Sequence, residues 1–139
     1  MTILEIQEEI IGEFSMFDDW MQRYEYIIDL GKKLSLIQEE FKTDDNLIKG
    51  CQSKVWLKGE QTEDKIVFTA DSDAILTKGI IAILIRVFSN QNAFDILAAD
   101  TEFIDKIGLK EHLSPTRANG LVSMIKNIKM YALAFDAKK

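Results

Sequence analysis

Cysteine, proline and histidine each occur once in this chain of 139 residues: Cys51, Pro115 and His112. A single cysteine excludes an internal disulfide. It also excludes most protein-only transition-metal sites, since structural zinc takes four nitrogen or sulfur ligands and the chain offers one of each kind. With one Pro and seven Gly there is no stretch that reads as a long flexible linker. Basic residues are the minority, 17 Lys and Arg against 23 Asp and Glu, for a net charge of −6. That balance argues against a duplex nucleic-acid binder, whose footprint is a basic patch. No apolar run approaches the length of a membrane span. The most apolar stretch, Gly79 to Ile85, is bracketed by Lys78 and Arg86. The first fourteen residues carry four Glu and no Lys or Arg, the wrong sign for a targeting segment. A cytoplasmic protein with no membrane association is expected.

What the chain has is a large apolar fraction, 47%, enough for one sizeable core. A single domain spanning 1–139 is expected. Thr2 to Glu5 has the form of a capping box, followed by a helical stripe of Ile3, Ile6, Ile10 and Phe14. A second helix is predicted from Asp18 or Asp19, with Trp20, Met21, Tyr24, Ile27, Ile28 and Leu34 on its apolar face and Lys32 and Lys33 near its end. Residues 43–46 read as a loop. At Val55 the period changes to alternation, with a second strand over Ile66–Ala70 and a polar connection over Gly59–Asp64. A hairpin alone is marginal, so a third short strand is expected near Asn46–Ile48. Asp71, Ser72 and Asp73 are N-cap candidates for a helix over Ala74–Phe88. Short helices over Ala93–Ala98 and Glu102–Ile107 follow, the latter stopped by Gly108. Ser114-Pro115 opens a last helix reaching Phe135. Helices, strands, then helices make an α+β pattern: a small antiparallel sheet of about three strands covered by N-terminal and C-terminal helices.

The chemistry concentrates in Lys49-Gly50-Cys51-Gln52-Ser53-Lys54-Val55-Trp56. Cys51 is placed in a loop before a strand. Gly50 allows a sharp turn and close approach of a partner. Lys49 and Lys54 would favour thiolate, the form that attacks an electrophilic sulfur. Taken alone, this segment fits a buried, inert cysteine better than a reactive one, since free Cys is among the most buried residue types. A self-contained cysteine hydrolase needs a paired base, and no nucleophile motif accompanies the one His.

Leu47 to Trp56 resembles the active loop of the SufE family. So does Asp71-Ser-Asp-Ala74 followed by Lys78-Gly-Ile-Ile-Ala82, and so does His112-Leu-Ser-Pro-Thr-Arg-Ala-Asn-Gly-Leu121 with Met124-Ile-Lys behind it. The blocks stand in family order over roughly residues 44–131. The resemblance implies a SufE/NifU-like fold and a sulfur carrier that is not itself an enzyme. It implies that Cys51 accepts persulfide sulfur from a SufS-type cysteine desulfurase, a pyridoxal-phosphate enzyme whose turnover it stimulates. The sulfur then passes to an iron–sulfur scaffold of the SufBCD type, with no cofactor or metal of the carrier's own. The alternative is a non-catalytic interaction module with a structural cysteine.

Gly50, Gln52, Ser53, Lys54, Asp73, His112 and Arg117 are the candidates for partner binding or support of the Cys51 loop. Arg117 lies in the first turn of the last helix, where a cation is disfavoured by the dipole, so a role near Cys51 is expected. Gly120 inside that helix is expected to permit close packing under the loop. In the free protein burial is expected to raise the thiol pKa more than the cations lower it. The oligomeric state is expected to be monomer or weak homodimer.

Overall fold

The computed structural model describes residues 1–137, so the expected domain 1–139 runs two residues beyond it. Helix α1, Ile3–Phe14, begins with the capping box read from the sequence: Thr2 Oγ1 accepts from the Glu5 amide and Glu5 Oε1 accepts from the Thr2 amide. Helix α2, Trp20–Gly31, starts at Asp19, whose carboxylate accepts from the Gln22 amide. It buries Ile27 and Leu30, but Met21, expected on its apolar face, is exposed. Lys32 and Lys33 fall just past the helix end. Two short 3₁₀ turns, Glu39–Phe41 and Asp44–Asn46, lead to the sheet.

Strands β1, Val55–Thr62, and β2, Lys65–Ser72, form an antiparallel hairpin closed at Glu63 and Asp64. The polar connection expected over Gly59–Asp64 is therefore mostly strand. Glu60, Gln61 and Thr62 are exposed there, so no apolar alternation marks it. Val55, Leu57, Ile66, Phe68 and Ala70 face the core. The third strand is β3, Gln91–Asn92, beside β2, and not Asn46–Ile48. The latter segment makes only an isolated bridge, Leu47 to Trp56, with the Ile48 amide donating to the Val55 carbonyl. A two-residue strand is too short to carry a period.

Helix α3, Ile75–Phe88, is apolar nearly all round and is buried against β2, α1, α2 and the last helix. Its N-cap is Ala74, without a side-chain hydrogen bond. The three expected cap residues do other work. Asp71 pairs with Lys42 at 2.6 Å and Lys78 at 3.3 Å, and Ser72 and Asp73 hold the neighbouring loop. Arg86 bridges to Glu9 and Glu13, and Tyr26 also donates to Glu13, tying α1, α2 and α3 together. Helices α4, Ala93–Ala98, α5, Glu102–Lys106, and α6, Leu109–His112, follow. Gly108, at φ 73°, ends α5 as expected. Helix α7, Pro115–Ala137, closes the chain, with the Ser114 hydroxyl accepting from the Arg117 amide at 3.3 Å. No described helix is long and apolar enough to cross a membrane.

Candidate functional site

Cys51 sits on a six-residue loop, 49–54, whose two ends are fixed and whose tip is not. At the neck, buried Ile48 donates its amide to the Val55 carbonyl at 2.8 Å. At the far end Lys54 is clamped to the turn between β2 and α3. Its amide donates to Asp73 Oδ1 at 3.0 Å, and its carbonyl accepts from the Ser72 hydroxyl at 2.8 Å and the Asp73 amide at 3.2 Å. Asp73 thus serves the loop rather than the helix. Between these anchors, the side chains of Lys49, Gln52 and Ser53 make no hydrogen bond to a described residue.

The tip is laid against α7. Gly50 has φ 92°, a left-handed conformation that favours glycine. A Cβ there would also lie 2.6 Å from Ser123 Oγ. Across from Cys51 stands Gly120, where a Cβ would come within 3.3 Å of the sulfur. The missing side chain lets the loop settle on the helix, as the sequence leads one to expect. Cys51 Sγ lies 3.6 Å from the Gly120 carbonyl, a weak S–H donation that favours the protonated thiol.

Cys51 opens onto a cleft of about 280 Å³. Gln52, Ser53, Thr77, Ile80, Thr116, Arg117, Gly120 and Met124 complete its lining. The side chains come from three segments: the loop, the start of α3 and the start of α7. Arg117 is therefore brought to the same cleft as the cysteine across 66 positions of sequence. Sequence reasoning missed Thr77, the one hydroxyl in a helix that is apolar but for Lys78 and Arg86, which was the available signal.

Burial pushes the Cys51 thiol above its ordinary value. The lysines expected to lower it do not reach it. Lys54 points to solvent, and Lys49 lines a separate groove with Asp44, Asp45 and Lys126. Ammonium groups in water are screened and exert little on a half-buried sulfur. His112 is also elsewhere. Its ring stacks on Trp20 at 3.8 Å and its Nδ1 lies 3.1 Å from the Gly108 carbonyl, so it is a tie between α2 and α6 and not a wall of the cleft. Among the described residues no His, Asp or Glu lines the cleft, so none of them stands ready to take the thiol proton. Among the described residues no three His, Cys, Asp or Glu gather as a metal site.

A protein-family model, the SufE Fe-S metabolism associated domain, matches residues 8–132. The chain belongs to the SufE family. Its place is accordingly in the sulfur metabolism of iron–sulfur clusters. An uncharacterised SufE-like protein of Rhizobium meliloti is 42% identical over 130 residues, covering 90% of this chain and 93% of the relative. The SufE-like protein 1 of Arabidopsis thaliana, chloroplastic or mitochondrial, is 36% identical over 132 residues. That match covers 94% of this chain but only 36% of the longer plant protein. The solution structure of a hypothetical protein from Thermus thermophilus shares the α+β fold at a TM-score of 0.77. It covers 93% of this chain and 94% of that one at 14% identity.

Proposed function

We propose that this SufE-family protein is a sulfur carrier. Cys51 takes a sulfur atom from the persulfide of a SufS-type cysteine desulfurase, stimulates that enzyme by emptying it, and passes the sulfur to a scaffold of the SufBCD type. The carrying observation is the setting of the one thiol: half-sheltered on a loop with fixed ends and a soft tip, opening onto a small cleft.

The chemistry needs no base of the carrier's own. The Cys51 thiolate attacks the outer sulfur of the donor persulfide. The Cys51 proton is first released to solvent; a bond then forms between Sγ and that sulfur, the donor's sulfur–sulfur bond breaks, and the donor cysteine leaves as a thiolate that takes up a proton from solvent in exchange. No net oxidation occurs. A thiolate on the scaffold repeats the exchange in the opposite sense. Access of one sulfur to another controls such steps. Sheltering keeps stray thiols away between transfers, and the soft tip lets Cys51 leave the cleft when a partner binds. These exchanges require a compartment that keeps thiols reduced, consistent with a cytoplasmic site.

The test is incubation with a cysteine desulfurase and free cysteine, followed by mass spectrometry. The carrier gains one sulfur atom on Cys51, and Cys51→Ser gains none while keeping its fold. Tight binding to the desulfurase with no gain of sulfur would support an interaction module with a structural cysteine instead.

A further inference from the structure

Among the described residues three polar side chains are buried: Gln7, Thr77 and Gln91. Two have evident partners. Gln7 Nε2 donates to the Asp100 carbonyl at 3.0 Å and Gln91 Nε2 to the Met1 carbonyl at 3.1 Å. Thr77, only 6% exposed, has none among the described residues. A helical threonine commonly donates to the carbonyl one turn back; this one does not, and it lines the Cys51 cleft. Among the described residues no side-chain oxygen is sealed off without a partner, so this hydroxyl still reaches the open cleft, where its donor is available to a ligand.

The cleft is electrostatically divided. The Sγ end suits a neutral sulfur, being half-buried and facing the Gly120 carbonyl. The rest suits a negative one. Thr77 is the third residue of α3, and Thr116 and Arg117 are the second and third of α7. Two helix N-termini, each with a positive dipole end, thus flank the space, with a guanidinium beside them. A persulfide has this division of character. Its inner sulfur carries neither proton nor charge, and its outer sulfur is the acidic, anionic one. The outer sulfur stands about 2.05 Å beyond Sγ, a reach that a cleft of this kind accommodates.

We propose that the Thr77 hydroxyl donates to the terminal sulfur of a Cys51 persulfide held inside this cleft. Thr77 is then a binding residue for the carried atom, and the cleft is a storage site rather than a by-product of loop packing. The proposal rests on the carrier reading, but its test needs no partner protein. Glutathione persulfide loads Cys51 directly: Sγ attacks the outer sulfur, glutathione leaves as its thiolate, and oxidation states balance. Cyanide then removes the terminal sulfur as thiocyanate, and the rate reports how well that sulfur is held.

Thr77→Val is nearly isosteric and removes only the donor. It is expected to raise the cyanide rate about tenfold, the loss of about 1.4 kcal/mol that a hydrogen bond to a charged group supplies. Thr77→Ser should restore the parent rate, and thermal midpoints and the alkylation rate of unloaded Cys51 should not move. Thr77→Ala carries the same expectation should the valine disturb packing. Loaded Thr77→Val and Thr77→Ala proteins that lose sulfur at the parent rate overturn the role of Thr77 and leave the carrier reading intact. A failure of serine to restore the rate overturns it equally. A parent protein that takes no sulfur from either glutathione persulfide or a desulfurase overturns both.

Discussion

Gly120→Ala separates the stability of α7 from the shelter it gives Cys51. The added Cβ would stand 3.3 Å from Cys51 Sγ and 3.8 Å from its Cα and Cβ. Comfortable contact lies at about 3.5–4.0 Å, so the sulfur must retreat by a few tenths of an ångström. On the helix side, alanine in place of an interior glycine stabilises by about 1 kcal/mol. On the loop side little opposes the retreat, because among the described residues the one side-chain hydrogen bond at the tip is the weak 3.6 Å contact to the Gly120 carbonyl, while the loop ends stay anchored. The net expectation is a stability equal to the parent or up to about 1 kcal/mol higher, with a more exposed thiol. Urea unfolding followed by tryptophan fluorescence reads the first. The iodoacetamide rate at one pH, against a denatured control, reads the second. The parent should react more slowly than the denatured chain, and Gly120→Ala should recover several-fold of that difference. A lower unfolding midpoint with an unchanged alkylation rate would refute the argument, since the loop would then be the stiff partner and the helix the one that yields.

Asp73→Ala removes the acceptor for the Lys54 amide and should cost about 1 kcal/mol while speeding alkylation of Cys51; an unchanged rate would show the anchor to be irrelevant to the tip. Arg117→Ala, at an exposed position, should leave the thermal midpoint nearly unchanged but lower sulfur transfer from a desulfurase, measured as sulfur gained on Cys51 per minute; a fall in the midpoint with normal transfer would make the arginine structural. Burial raises the Cys51 pKa in the fold, so the unfolded thiol ionises first as pH rises. The stability this represents is present below the unfolded thiol value of about 8.5 and is lost progressively above it. The parent should therefore lose stability between neutral pH and about pH 10 more steeply than Cys51→Ser, in chemical unfolding at matched ionic strength. Parallel curves would place the thiol in a water-like setting.

The caps of α1, α2 and α7 were legible because local rules decide them: Thr2 with Glu5, Asp19, and Ser114 before Pro115 each satisfy free amides within one turn. The hairpin was legible where one face is buried, over Val55–Leu57 and Ile66–Ala70, and became illegible where β1 turns polar beyond Gly59. Asp73 looked like a cap because nothing in a linear reading brings Lys54 beside it. The same limit applies to the site. Cys51 and its glycine stood out locally, and the family blocks pointed to Arg117 and Gly120. That burial, not neighbouring lysines, governs the thiol depended on which side chains reach water. His112 was indistinguishable from a site residue until its ring was found against Trp20.

The walls around Cys51 come from residues 77–80 and 116–124, so they arrive late on the ribosome. A nascent chain that has not yet emitted α7 presents an unguarded thiol on the loop before β1. Protection of the cysteine is thus acquired only when the last helix docks, and a chain truncated before Gly120 would display a thiol as reactive as a free one. Resistance of Cys51 to alkylation is therefore a measure of whether α7 has docked as much as of local burial.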